Sequence, residues 1–372
     1  MAEGNSIKML TKRSAIVLLF IFILSSQSVK AQFNFYTGYD GYYDDNIYNN
    51  YLAVTDFVSS FSFGAGYDIE SGSNNLNLYY DGNLTRFNEN VFKSSATYKA
   101  GIVNTYFVGD GNPLNIGANY SWRSYDEGYT VYDWNKLSLY ANYKQYTADN
   151  DFILSGYIYN GINYLNLEVF SYNEHKAFIK YKSLFSSKTS LLLGVEGDFK
   201  DYMQNYQSSS LAENALQVSS FVKLAQSLSD NTGLSVYARY RKNIISGNRF
   251  VNIDEFFYYE DEILYDQYSN EGYDGGVKIK QMLSSILILS GYANYANKYF
   301  PNLPAADLQG NSFDFNREDN QLRFGVQLEA SLGGIIPGLY GDLNWEYINN
   351  NSNDTFYNYQ NQVLSAVLEF LF

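Results

Sequence analysis

Residues 362–372, Gln362-Val363-Leu364-Ser365-Ala366-Val367-Leu368-Glu369-Phe370-Leu371-Phe372, decide the fold. Counting back from Phe372, every second residue is Phe370, Leu368, Ala366 and Leu364, while the interleaved set holds Glu369 and Ser365. An apolar face and a polar face with period two describe a half-buried β-strand. A soluble sheet rarely finishes on an uncovered apolar strand, because its open edge invites another chain. A sheet closed on itself in lipid can do so: its outward face meets hydrocarbon and its last strand pairs with the first.

The alternation recurs upstream. From Phe33 onward, alternating runs of roughly ten residues are separated by breaks rich in Gly, Asn, Asp and Ser. Sixteen runs are read, at 33–40, 57–68, 75–87, 94–107, 114–124, 137–146, 152–162, 175–185, 190–200, 216–228, 234–242, 273–282, 286–298, 321–332, 339–348 and 362–372. Short connections follow the even runs, as at 69–74, 147–151 and 333–338. Longer ones follow the odd runs, as at 41–56, 243–272 and 299–320. The four prolines, Pro113, Pro301, Pro304 and Pro337, all fall in stretches read as turns or loops. The pattern predicts an all-β fold: a transmembrane antiparallel up-and-down β-barrel of about sixteen strands (fourteen to eighteen), with short periplasmic turns and long extracellular loops. A secreted β-sandwich or adhesin gives no reason for the alternating connection lengths. Sixteen strands leave an aqueous lumen, whereas eight would be filled by side chains.

The start of the chain sets a destination. Lys8, Lys12 and Arg13 precede an apolar run from Ala15 to Leu24, and small residues lead to Val29 and Ala31 in the −3 and −1 places of a cleavage site. This is the layout of a secretory signal peptide, with an apolar core too short to span a bilayer as a helix. Residues 1–31 are expected to be removed, leaving 32–372 as a single barrel domain. Met9, just before the basic residues, is an alternative start. No Cys follows the apolar core, so no lipoprotein anchor is expected.

The features together resemble the outer-membrane β-barrel proteins of Gram-negative bacteria, porin-like in architecture. Tyr43-Asp44-Asp45-Asn46, after the first run, is similar to a tetrapeptide in some porin-like and exporter barrels. The resemblance implies location in the cell outer membrane, contact with outer-membrane lipid, and recognition of Phe370 and Phe372 by the barrel-assembly machinery.

Composition narrows the partners. Removal of residues 1–31 takes away four basic residues and one acid, leaving 21 Lys+Arg against 38 Asp+Glu and a net charge of −17. No nucleic acid partner is expected of such a chain. The 39 tyrosines suit a membrane–water boundary, since the ring is apolar and the hydroxyl seeks water.

Alternation also sorts the charges. In run 190–200, Leu191, Leu193, Val195 and Phe199 share one face, and Glu196, Asp198 and Lys200 the other. Charge in mid-strand is unfavourable toward lipid, so the charged face is assigned to the lumen. The expected basic pore-lining residues are Lys180, Lys182, Lys223, Arg239, Arg241, Lys278, Lys280 and Arg323; the acidic ones are Asp40, Asp68, Asp81, Glu329, Asp342, Glu346 and Glu369. Basic residues concentrate on runs four to twelve, with Lys99, Arg123, Lys144 and Lys176 among them, and acids on runs fourteen to sixteen and one to three. In a closed barrel the two arcs face each other, which would set up a transverse field across the lumen. The simpler alternative is that these charges pair with their neighbours and solvate the wall.

Specific chemistry is thinly represented. The longest loop, 243–272, carries seven acids, among them Asp254, Glu255, Glu260, Asp261 and Glu262, without the spacing of an EF-hand. A solvated loop is the favoured reading there and at Asp44, Asp45 and Asn46. His175 is the one histidine, and alternation puts His175, Glu174 and Ser171 on no face common to all three, so no catalytic triad is expected. No metal site, cofactor or enzyme activity is expected. The expected function is passive diffusion of small hydrophilic solutes through a porin-like channel. The alternative is a non-enzymatic accessory barrel of a secretion, export or assembly complex. A homo-oligomer and a subunit of a larger complex both fit this expectation.

Overall fold

The computed structural model describes residues 30–109, 111–203, 212–247 and 267–372. All sixteen expected runs are strands: β1 (Lys30–Asp44), β2 (Asp56–Ser71), β3 (Asn74–Phe87), β4 (Ser95–Val108), β5 (Asn112–Tyr125), β6 (Trp134–Ala148), β7 (Asp151–Tyr164), β8 (Tyr172–Leu184), β9 (Thr189–Tyr202), β10 (Asn214–Ser227), β11 (Thr232–Ile245), β12 (Glu271–Met282), β13 (Leu287–Ala306), β14 (Ser312–Ser331), β15 (Leu339–Ser352) and β16 (Tyr359–Leu371). Each pairs antiparallel with its neighbours in sequence, and β1 pairs with β16, so the sheet is a closed barrel without an edge. Closure gives every strand a paired neighbour on both sides around the wall, the condition for crossing hydrocarbon as strands.

The pairing register fixes which side chains look outward. Gly38 on β1 sits beside Glu369 on β16, and Tyr39 beside Leu368. On the Tyr39 side lie Phe33, Phe35, Tyr43, Leu364 and Leu368, all exposed at the protein surface. Around the wall the same face continues through Ile116, Leu139, Ile179, Val195, Val236, Val326 and Leu343. Exposed apolar residues on this scale are expected where the surrounding medium is lipid rather than water. Among the described residues no helix is long and apolar enough to cross a membrane, which says nothing against crossing by strands.

The strands outrun the alternating runs at most ends, because the backbone ladder continues after side-chain contrast fades. The largest difference lies at 299–320, expected as a loop. There β13 continues to Ala306, and a short turn, in which Asp307 accepts the amides of Gln309 and Asn311, leads back into β14. Pro301 and Pro304 therefore lie in a strand, as does Pro113 in β5; only Pro337 lies in a turn. The ladder tolerates the first two because the register slips between Tyr299 and Pro304 and again before Ala306. Pro113 is the second residue of its strand, where a missing donor matters little.

At the long-loop end, 3-10 turns at Val91–Lys93, Thr130–Tyr132, Glu168–Phe170, Gln267–Ser269 and Thr355–Tyr357 fold the connections onto the rim. Three buried cations anchor them through aromatic faces. Lys93 lies 4.2 Å from the Tyr48 ring, Lys200 lies 3.8 Å from Tyr172, and Arg317 lies 3.3 Å from Tyr357. Arg317 also donates twice to Asp319, at 3.0 and 2.6 Å. Beside it, burial pushes the Asp354 carboxyl above its ordinary range, although it accepts the amides of Ala306 and Phe356. The loop after β1 clasps the β1–β16 seam. Asn46 donates to the carbonyls of Asn50 and Gln360, and Asn361 donates to the carbonyl of Asn46. Asn46 is fully buried, so the solvated-loop reading fails there. Its amide satisfies backbone carbonyls that the irregular chain leaves over. Most of the expected signal segment and the acids from Asp254 to Glu262 lie outside the described residues.

The lumen wall as candidate functional site

Cross-strand pairing carries one face of the sheet around the whole barrel. From Tyr36 the row passes through Gly64, Asp81, Lys99 and Ser121 to Lys136. Following such rows places Lys180, Lys182, Lys223, Arg239, Arg241, Lys278, Lys280 and Arg323 on the face opposite the lipid-facing residues. Asp40, Asp68, Asp81, Glu329, Asp342, Glu346 and Glu369 share it. Phe370 and Phe372 lie on the outward face, their rings 4.2 Å apart and perpendicular.

Many of these charges are paired along the wall. Lys99 meets Asp81 at 2.8 Å and Lys180 meets Glu196 at 2.8 Å. Arg239 meets Asp274 at 3.3 Å, Lys280 meets Glu329 at 3.1 Å and Arg323 meets Glu346 at 3.7 Å. Lys278 donates to Gln327, which donates to Asp342 at 2.7 Å. Asp68 accepts from Asn34 and Asn77. The basic arc thus contains its own acids, Glu196, Asp198 and Asp274, which reduce its net charge. The other arc keeps more of its charge. Among the described residues Asp40, Asp342 and Glu369 have no ion pair, and Asp40 and Asp342 flank Val367 on one row, two strands and so roughly 10 Å apart.

Two recesses indent the wall on the basic side. One, of about 240 Å³, is lined by Arg239, Arg241, Arg323, Asp274, Tyr237 and Gln321, among others. Two of its three guanidiniums are paired with carboxylates; the Nε of Arg241 is buried without a hydrogen-bond partner. The other, of about 340 Å³, joins Lys223 and Glu196 to Arg239. A third, of about 570 Å³, lies among Glu329, Asp342 and Glu369.

The long loop after β11 turns inward at its described end. Tyr268 is buried and donates to Glu174 on β8, while Gln217 on β10 donates to the carbonyls of Gln267 and Asn270. Burial, with the Glu174 carboxylate next to it, pushes the Tyr268 hydroxyl far above its ordinary range and keeps it protonated. Glu174 itself lies on the lumen face, bonded to Asn160, whereas its neighbour His175 faces outward and hydrogen-bonds Tyr157 through Nδ1. Ser171 donates to Asn163 and accepts the Tyr164 amide. The three do not converge.

Two groups of lumen residues escaped the sequence reading. Lys136 precedes the run 137–146 by one residue, and the alternation continued back from Ser138 reaches it. The second group is aromatic. Six inward rings lie against glycines of the neighbouring strand: Tyr36 on Gly64, Tyr79 on Gly101, Tyr140 on Gly117, Phe178 on Gly156, Phe221 on Gly194 and Tyr292 on Gly325. The signal was a glycine near the middle of one run in each successive pair, from runs one and two to runs thirteen and fourteen. In the one remaining hairpin before β15, Gly276 is covered by Asn294, to which the Tyr237 hydroxyl donates.

No family model matches the chain, and no curated protein sequence matches it. Solved structures do. The outer membrane protein OpdK of Pseudomonas aeruginosa superposes with a TM-score of 0.54 at 9% identity, over 92% of this chain and 99% of that one. OccK2 (OpdF) of Pseudomonas aeruginosa, in complex with glucuronate, gives a TM-score of 0.56 at 8% identity, over 92% and 98%. OccAB1 of Acinetobacter baumannii gives 0.53 at 10%, over 93% and 97%. At such identities the likeness is one of fold: this chain's sixteen-stranded closed barrel is similar in fold to these bacterial outer-membrane proteins.

Proposed function

We propose that the protein is a porin-like channel of the cell outer membrane that lets small hydrophilic solutes diffuse passively. The observation that carries this reading is the closed sixteen-strand wall with a polar, charged inner face. Strands ~4.8 Å apart and tilted ~40° give a circumference of roughly 100 Å and a backbone diameter of roughly 30 Å. Wall side chains cannot fill such a cylinder, so water does.

In this reading the paired wall charges keep water and ions close without trapping them. The arc with Asp40, Asp342 and Glu369 attracts cations, and the recess with Arg239, Arg241 and Arg323 attracts anions. OccK2, similar in fold, was solved with glucuronate, a small hydrophilic acid of the kind such a recess would suit. Residues 1–31 are removed on export, which starts β1 of the exported barrel at Gln32, and Phe370 and Phe372 are read by the barrel-assembly machinery. The test is single-channel recording of the purified protein in a planar bilayer. Stepwise conductance supports the channel. A folded barrel that inserts without conducting favours an accessory role in a larger complex, for which the inward-turned loop at Tyr268 would be a starting point.

A further inference from the structure

The glycines under the inward rings have a feature in common. A Cβ built on Gly117 would overlap only the far end of the Tyr140 ring among its nearest neighbours; Gly101 meets only Tyr79 and Gly194 only Phe221. The ring therefore lies over the bare backbone of the next strand, in the volume that any other residue's side chain would occupy. The rings are half-buried, as side chains laid along a wall should be.

The arrangement is periodic. Tyr140 is paired with Ile158, and the next glycine, Gly156, stands two residues before it. Phe178 is paired with Glu196, and Gly194 again stands two residues before it. This constant step has a geometric meaning. With strands tilted ~40°, a row of paired residues climbs roughly 6 Å over two strands, and two residues back along a strand descend roughly 5 Å. The ring–glycine pairs thus follow a shallow spiral around the lumen instead of scattering over its height.

Resting on the channel reading, we infer that these glycines set the bore of the lumen: by leaving room at the wall they let a belt of aromatic side chains lie flat, and they are positioning residues for the size limit on solutes. A methyl group in the glycine's place lifts the ring off the wall by ~2 Å, about the extra reach of one carbon in van der Waals contact. The ring can move only toward the lumen or along the wall, where the neighbouring lysines stand. Lys180 already covers both Phe178, at 4.8 Å, and Phe221, at 5.5 Å. Gly325 does not serve as a test position, because a Cβ there also overlaps the carbonyl of Trp345.

The experiment compares the wild-type chain with Gly101→Ala/Gly117→Ala/Gly194→Ala, and with the same variant carrying Tyr79→Ala/Tyr140→Ala/Phe221→Ala. Conductance is measured with polyethylene glycols of graded size, and folding is checked by heat-modifiable mobility. The largest polymer that enters should be smaller by ~2–4 Å in diameter for the triple glycine variant, and the ring deletions should restore or exceed the wild-type limit. An unchanged size limit in a folded triple variant overturns the inference. If the wild type does not conduct, the channel reading fails on its own, and nitration of Tyr79 and Tyr140 by tetranitromethane, read by mass spectrometry, decides the ring geometry. Faster nitration in Gly101→Ala and Gly117→Ala supports rings lifted from the wall; equal rates overturn it. If the triple glycine variant does not fold, the nitration comparison is made on the single variants. Failure of those to regain folding when the matching ring is deleted also counts against it.

Discussion

The amide of Phe372 donates to the carbonyl of Phe35 across 2.9 Å, joining the two ends of the sheet just beyond the β1–β16 ladder. Next to it the Leu371 amide donates to Gly338, in the turn before β15. The residue therefore contributes a seam hydrogen bond as well as an exposed outward ring. Deleting Phe372 should lower the assembled fraction, measured by heat-modifiable electrophoretic mobility of membrane fractions. Wild-type levels of the folded band would remove Phe372 as an assembly determinant.

The register makes a sharp prediction about facing. Val195 lies near the middle of β9 on the outward face, 49% exposed, while its neighbour Glu196 pairs with Lys180 inside. Val195→Arg should destabilise the barrel by ~2–4 kcal/mol, the effect of a cation near the bilayer midplane, in denaturant unfolding from lipid. Cysteines at Glu196, Arg239 and Asp342 should react with water-soluble thiol reagents, and cysteines at Val195 and Leu343 should not. The reverse labelling would mean the face assignment is inverted.

Arg317 tests what holds the rim. It is 3% exposed, stacked on Tyr357 and doubly bonded to Asp319, itself 1% exposed. Arg317→Ala leaves that carboxylate buried without its partner, a loss of about 3–5 kcal/mol for a buried pair. Proteolysis of the loop between β15 and β16 should become faster while the folded barrel persists. The double variant Arg317→Met/Asp319→Leu should recover much of the protection. Equal loop protection in Arg317→Ala would mean the pair does not hold the rim.

Ion selectivity should follow the wall pairs. Removing Arg239 and Arg241 as Gln leaves Asp274 without its cation and should move the reversal potential toward cations. Removing Asp342 and Glu346 as Asn and Gln frees Arg323 and should move it toward anions. Both shifts should shrink as salt rises, since screening acts over ~8 Å at physiological ionic strength. Unmoved potentials in a conducting channel would place these residues off the ion path.

Period-two contrast was strong enough in Leu191–Lys200 or Leu339–Ile348 to locate strand and face together, because lipid and water impose opposite demands on alternate side chains. It was weak where both neighbours are polar, so β13 was stopped at Lys298 and its prolines were read as loop. Propensity at Pro301 and Pro304 was overridden by the slipped ladder that carries the hairpin past the rim. Cross-strand pairing is not visible in a single chain. Arg239 was therefore read as part of a basic arc, and its partner Asp274, on the next strand, was not seen. The aromatic belt was missed for the same reason: Tyr140 and Gly117 meet only once register is known.

The most direct test of the central claim is single-channel recording of the folded, wild-type barrel in a planar bilayer. Discrete conductance steps that grow with salt concentration are the expected result for a wide water-filled lumen. A protein shown to be folded by heat-modifiable mobility and shown to be inserted, yet giving no steps across a range of salt and voltage, would contradict it.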